Sequence, residues 1–276
     1  MPKFDVVLWG VMGSCPGASL AASKEIGMNT PCVQIDTDKE ILIFDAGTGI
    51  VKLGNDLSEI QEPLDIHLFM THSHWDHVQG FPFFAPAYDP KNTITIYGQF
   101  REKFKIDDIF KGLMKQPYFP APFSVLKANI QFKELSPVAS TTLPSGVKIL
   151  SITSDHPGGN LIYRIEYGGK SFCYITDLSH GHGINDSLIT FVKNTDLMIY
   201  DSNFTNLEFI KPQYEGWGHS TWEKAVQLAI NANVSKLVLF HHALHRTKED
   251  LKDILVEART LFPETDLAVE GRRYTL

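Results

Sequence analysis

A chain of 276 residues, 43% hydrophobic and 21% charged, is long enough to bury a sizeable core and suits one large α/β domain or two small ones. Its formal net charge of −7 argues against long nucleic acid as a partner, because Lys and Arg are scattered and form no run that would meet a polyanion. No stretch approaches the roughly 20 apolar residues that span a bilayer, and MPKFDVVLWGVMG lacks the apolar centre of a secretion signal. Cys15, Cys32 and Cys173 are odd in number and form no CxxC pair, which reads as a reducing compartment. The expectation is a cytoplasmic protein with no membrane contact.

In chain order, DVVLWGV (5–11), CVQIDT (32–37) and EILIFDAG (40–47) read as strands, being rich in β-branched and aromatic residues. TDKE fits a hairpin turn between the second and third. GTGIVKLGNDLSE reads as a short helix, and DIHLFMTH (65–72) as a buried strand. The stretch 81–130 differs, with FPFFAPAYDP and QPYFPAPF flanking a strand, TITIYG, and a helix-like segment, REKFKIDDIFKGLMKQ (101–116). It reads as an insertion that is plain core, a lid over a site, or a contact in a homodimer.

Strands recur at VKILSITS (147–154), LIYRIEYGG (161–169), KSFCYITD (170–177), DLMIYDS (196–202) and KLVLFHH (236–242). STWEKAVQLAINANV (220–234) is an amphipathic helix capped by Ser220 or Thr221, and KEDLKDILVEARTLF (248–262) is a second helix. Two similar halves, each with strands punctuated by helices, imply sheet packed on sheet with helices outside.

THSHWDH (71–77) crowds His72, His74, Asp76 and His77 behind an apolar run. Imidazole and carboxylate are the ligands of zinc and similar divalent ions. On a strand, H-x-H would aim both imidazoles to one side, and the following turn would aim Asp76 and His77 at a second point nearby. The competing reading, a satisfied polar turn, needs four polar side chains at the mouth of a buried strand to find separate partners. Further candidates stand where other apolar strands give out: His156 after VKILSITSD, Asp177 after KSFCYIT, and His241 or its neighbour His242 after KLVLF.

The ordered set Asp45 in FDAGTG, then THSHWDH, His156, Asp177 and His241, resembles the metallo-β-lactamase superfamily over nearly the whole chain. The resemblance implies a single domain over 1–276, an αββα sandwich of two mixed β-sheets flanked by helices, with the insertion at about 81–130. It implies two divalent ions, zinc first and manganese or iron as substitutes. His72, His74 and His156 would hold one ion, Asp76, His77 and His241 the other, and Asp177 would bridge them alongside a water or hydroxide. Asp45 would orient a ligand. Strand register favours His241 over His242.

WGHST (217–221) is similar to the GHST element of the phosphodiesterase branch, which includes the tRNA 3′-processing endonucleases. There the His contacts the scissile phosphate and protonates the leaving group, so His219 would be the general acid and Asp201 in IYDSNF would orient it. The basic, Gly-rich arm that grips tRNA in those enzymes has no counterpart here. The expected activity is therefore hydrolysis of a small phosphodiester such as a cyclic nucleotide, by metal-activated hydroxide, with Asp76, His219 and Asp201 as catalytic residues. Tyr118, Phe119 and Phe123 read as core, with base stacking as the alternative. The competing functions are a hydrolase of a lactone, thioester or β-lactam, since fold does not choose between bonds, and a di-iron redox sensor. His74 weighs against the sensor, because such sensors tend to carry Glu in the H-x-H-x-D-H element.

Overall fold

In the computed structural model, which describes residues 2–37, 39–99, 104–181 and 183–276, apolar side chains build several strands that are covered on both faces. Along Phe4–Gly10 (β1), Val6 and Leu8 enter one hydrophobic cluster while Val7 and Trp9 enter another, as a period of two requires. Cys32–Thr37 (β2) and Ile41–Phe44 (β3) follow, then a helix at Gly49–Ser58 (α1), Asp65–Phe69 (β4), a short helix at Trp75–Val78 (α2), Thr93–Gln99 (β5), a helix at Ile106–Leu113 (α3) and Asn129–Leu135 (β6). These strands form one seven-stranded mixed sheet, completed at its far edge by a strand at Arg273–Thr275.

The second sheet, also seven-stranded, contains Val138–Thr142 (β7), Lys148–Ser154 (β8), Asn160–Tyr167 (β9), Lys170–Ile175 (β10), Leu197–Asp201 (β11), Leu237–Phe240 (β12) and Thr265–Leu267 (β13); the edge strand Arg273–Thr275 is β14. Between these strands lie Asp186–Val192 (α4), Asn206–Phe209 (α5), Trp222–Asn231 (α6) and Lys248–Leu261 (α7). The larger cluster joins the facing sides of the two sheets through Phe44, Phe69, Tyr163, Phe172 and Tyr174, and continues beneath α6 and α7. The smaller one seals the outer face of the first sheet under α1 and α3. The architecture is the expected αββα sandwich of two mixed β-sheets.

Several local expectations change. The strand ahead of THSHWDH stops at Phe69, so His72 and His74 stand on the loop beyond it and not on strand positions. The helix expected over 101–116 occupies only Ile106–Leu113, and residues 101–103 lie outside the described residues. Asp38 in the TDKE turn also lies outside them. Within 81–130, β5 pairs in parallel with both β4 and β6 and is internal to the first sheet. Phe81, Phe84 and Phe110 are fully buried beneath that sheet, and Phe119 and Phe123 pack against the same cluster, whereas Tyr118 is 78% exposed. The strands β6, β7, β13 and β14 fall outside the strands expected from the sequence: β6 and β7 are sheet edges whose residues are half-buried or exposed, and β13 and β14 have three residues each. Thr221 caps α6 by accepting from the Lys224 amide. Among the described residues, no helix is long and apolar enough to cross a membrane.

Candidate metal centre

In both sheets a set of parallel strands ends on the same side, and the polar residues that follow those ends meet there. β3 is followed by Asp45, β4 by Thr71 and His72, β10 by Asp177 and β12 by His241, while β11 ends on Asp201. The carboxyl edge of parallel strands is a common site for ligands, because the chain leaves the sheet there and side chains are freed to converge. Asp45, Asp177 and His241 each take a left-handed backbone conformation, with φ of 62°, 52° and 61°. Non-glycine residues rarely do so, and the conformation persists where surrounding contacts enforce it.

Three imidazoles, His72, His74 and His156, bring one nitrogen each to within 4.8 Å of one another. His74 Nδ1 and His156 Nε2 approach to 3.0 Å. Asp76, His77 and His241 form a second group by the same measure, with Asp76 Oδ2 at 3.5 Å from His77 Nε2 and 3.2 Å from His241 Nε2. Asp177 stands between them and divides its oxygens. Oδ1 lies 3.9 Å from both His72 Nε2 and His156 Nε2, and Oδ2 lies 3.1 Å from His77 Nε2 and 3.3 Å from His241 Nε2.

Neighbouring groups orient the rings through their other nitrogens, as partners of metal-bound imidazoles do. His77 Nδ1–H donates to Asp45 Oδ2 at 2.8 Å, and His156 Nδ1–H donates to the Gly218 carbonyl at 2.7 Å. Asp45 is wholly buried and also receives the Thr71 amide and hydroxyl and the Tyr174 hydroxyl. Asn203 lies 3.3 Å from His241 Nδ1 and donates to that residue's carbonyl. The Ser14 amide donates to Asp76 Oδ2 at 2.8 Å. Thr71, Tyr174, Asn203 and Gly218 carried no signal in the sequence, because each acts through a contact distant along the chain.

His242 takes no part in either group. It is buried on the other side of the chain, with Nε2 at 2.9 Å from the Ala268 carbonyl, and burial pushes it down to about 4. His219 stands beside the second group, its Nδ1 at 2.9 Å from Asp201 Oδ2 and 3.7 Å from Asp177 Oδ1. Burial disfavours its imidazolium, but the Asp201 carboxylate outweighs this and the group is pushed up to about 9.

The donor set fits divalent cations. His72 Nε2 and His77 Nε2 are buried and make no hydrogen bond of acceptable geometry among the described residues. A buried polar atom left so is costly unless something else meets it. Burial also opposes the charged forms of Asp177 and Asp76, yet the adjacent imidazoles hold both well below the usual carboxylate range. Burial opposes the His77 imidazolium, yet Asp177, Asp76 and Asp45 hold it well above its usual value. Around His77 the carboxylates thus favour positive charge, whereas burial lowers His72, His74 and His156 and favours their neutral, lone-pair-bearing forms.

Residues 41–242 match the family described as "Beta-lactamase superfamily domain". The chain is 25% identical over 291 residues to the Ribonuclease Z of Prochlorococcus marinus (strain MIT 9515), covering 86% of this chain and 90% of that protein. The fold is similar to that of the metallo-beta-lactamase fold protein YhfI from Bacillus subtilis (TM-score 0.72, 22% identity, 100% of each chain). It is also similar to a diphosphatase from the PhnP family (TM-score 0.71, 17% identity, 99% of this chain and 97% of that one).

Proposed function

Because the chain belongs to the metallo-β-lactamase superfamily, we propose that it is a metal-dependent hydrolase of a small phosphodiester, a cyclic nucleotide among the candidates. The proposed ligands are His72, His74 and His156 for one ion, Asp76, His77 and His241 for the other, and Asp177 for both. Zinc is the first choice of metal, with manganese or iron able to use the same oxygen and nitrogen donors. Two such ions would supply Lewis acidity that activates water and neutralises charge on a phosphoryl group.

The chain's own residues do the rest. Asp76 takes a proton from the attacking water as its oxygen bonds to phosphorus. His219 is held by Asp201 through Nδ1–H, which leaves Nε2 to give its proton to the departing oxygen as the bond from phosphorus to that oxygen breaks. The proton held on Asp76 then returns through solvent to His219. The observation that carries the reading is the buried Asp201–His219 pair, set 3.7 Å from Asp177, since holding two ions does not by itself need a carboxylate-oriented imidazole. The relatives named Ribonuclease Z support phosphodiester chemistry. The net charge of −7 and the missing basic arm favour a small substrate over a polymer. The odd number and wide spacing of its three cysteines are the grounds for placing it in the cytoplasm.

The test is hydrolysis by protein loaded with zinc or manganese of two substrates: bis-p-nitrophenyl phosphate, which reports phosphodiesterase activity, and an adenosine cyclic monophosphate, whose alkoxide leaving group, unlike p-nitrophenolate, needs a proton. His219→Ala should lower kcat on the cyclic nucleotide by about 10²–10⁴-fold while elemental analysis still finds two metal equivalents. A fully active His219→Ala variant would remove the general-acid role.

A further inference from the structure

His219 forms part of the wall of a cavity of about 520 Å³ whose remaining lining comes largely from residues 209–218. The volume falls in the range of roughly 300–1,000 Å³ typical of small-molecule sites. Its apolar lining includes two aromatic rings, Phe209 and Tyr214, beside Ile210 and Pro212. Phe209 is half-buried, with the His180 ring stacked on it at 4.1 Å and 28°, and His180 is bonded to Ser220, the residue after His219. Tyr214 packs on Phe204 at 4.7 Å, and Phe204 meets the His219 ring edge-on at 5.8 Å.

This wall is braced from behind. Glu208, in the same short helix as Phe209, accepts from the Thr205 amide, from His245 and from Arg246. At the other end of the segment, the Gly218 carbonyl is tied to His156. The aromatic rings are therefore positioned relative to the metal centre and do not simply cover a loop.

Chemistry says which part of a substrate belongs here. Nδ1 of His219 is committed to Asp201, so the proton it gives must leave from Nε2. The oxygen that receives the proton belongs to the departing alcohol, whose carbon skeleton must then lie beside His219. The cavity that His219 helps to line adjoins that ring. We propose that it is the leaving-group subsite, and that it takes the planar base of a departing nucleoside against Phe209 and Tyr214. This inference rests on the phosphodiesterase reading for the direction of proton transfer, and narrows it to diesters of nucleosides.

Titration calorimetry on the zinc-loaded protein compares adenosine 5′-monophosphate with inorganic phosphate. Stacking on an aromatic wall should make the nucleotide at least about tenfold tighter. Phe209→Ala and Tyr214→Ala should each erase most of that gain and leave phosphate affinity unchanged. Ser179→Trp fills the cavity from its other wall, and should abolish the gain by exclusion even where an alanine variant folds poorly. Equal affinities in the unaltered protein, or a gain that survives all three substitutions, overturn the subsite. Turnover of bis-p-nitrophenyl phosphate is measured on the same material. Turnover without nucleotide preference refutes the subsite alone, whereas nucleotide preference without turnover refutes the phosphodiesterase reading and leaves the cavity as a nucleotide-binding site.

Discussion

Replacing Gly218 by alanine should weaken one half of the proposed metal centre, although Gly218 is not itself a proposed ligand. Gly218 has φ of 81°, a conformation that costs an L-residue about 1–2 kcal/mol. An added Cβ would also stand 2.3 Å from Pro157 Cδ and 2.4 Å from His156 Nδ1. Ordinary carbon contacts begin near ~3.5 Å, so the His156 ring or the 216–218 loop must retreat by about 1 Å. The bond from His156 Nδ1–H to the Gly218 carbonyl, 2.7 Å long, would be strained or lost, at a further cost of about 1 kcal/mol. The total is about 2–3 kcal/mol of stability. Loss of an orienting partner typically weakens metal binding about 10–100-fold, here for the ion proposed at His72, His74 and His156. Gly216→Ala is the control: its φ is 76°, but nothing lies within 4 Å of the added carbon, so it carries the backbone cost alone. Zinc titration against a competing chelator, with thermal unfolding alongside, separates the effects. If Gly218→Ala binds two zinc ions as tightly as the unaltered protein and unfolds like Gly216→Ala, the argument that this carbonyl positions His156 is wrong.

Asp45→Asn should weaken the other ion by about 10–100-fold, because Asp45 Oδ2 receives Nδ1–H of His77 and an amide in its place can present a donor to that nitrogen; unchanged zinc stoichiometry and affinity would count against it. Removing metal with a chelator should lower the thermal midpoint, and zinc at 100 times its dissociation constant should restore about 2.7 kcal/mol, so identical midpoints with and without zinc would contradict the proposed centre. Glu208 is held down to about 2 despite burial, by the Thr205 amide, Arg246 and His245. A carboxylate depressed on folding stabilises fully above its unfolded value and loses that contribution as pH falls toward its folded value. The stability difference between the protein and Glu208→Gln, about 1 kcal/mol after solvent screening, should hold above pH ~4.5 and shrink toward pH ~2. Urea titrations at pH 6 and pH 3 that give the same difference would refute it.

The residues that converge at the centre were legible because each stands where an apolar run gives way to a polar, acidic or imidazole side chain. His72, His156, Asp177 and His241 all follow such runs, and a strand end is a feature of local pattern. The internal strands were legible for the same reason; β6 carries a weaker strand signal, Ile130 and Phe132 alternating with polar residues inside a stretch read as an insertion, and β7 is a five-residue edge strand with few apolar side chains. Two-residue alternation was the wrong guide to the converging side chains themselves. His72 and His74 lie past the end of β4, and His241 leaves β12 through a left-handed turn, so strand parity does not apply to them. What separates His241 from His242 is where the chain goes next: one ring meets Asp76 and Asp177, and the other meets the Ala268 carbonyl. Likewise nothing in the run PYFPAPF distinguishes exposed Tyr118 from Phe119 and Phe123, which pack beneath the first sheet. Residue chemistry and local periodicity are carried by neighbours along the chain. Convergence, ring orientation and the cavity beside His219 arise from contacts between segments tens to hundreds of residues apart, which only the packed sandwich brings within a few ångströms.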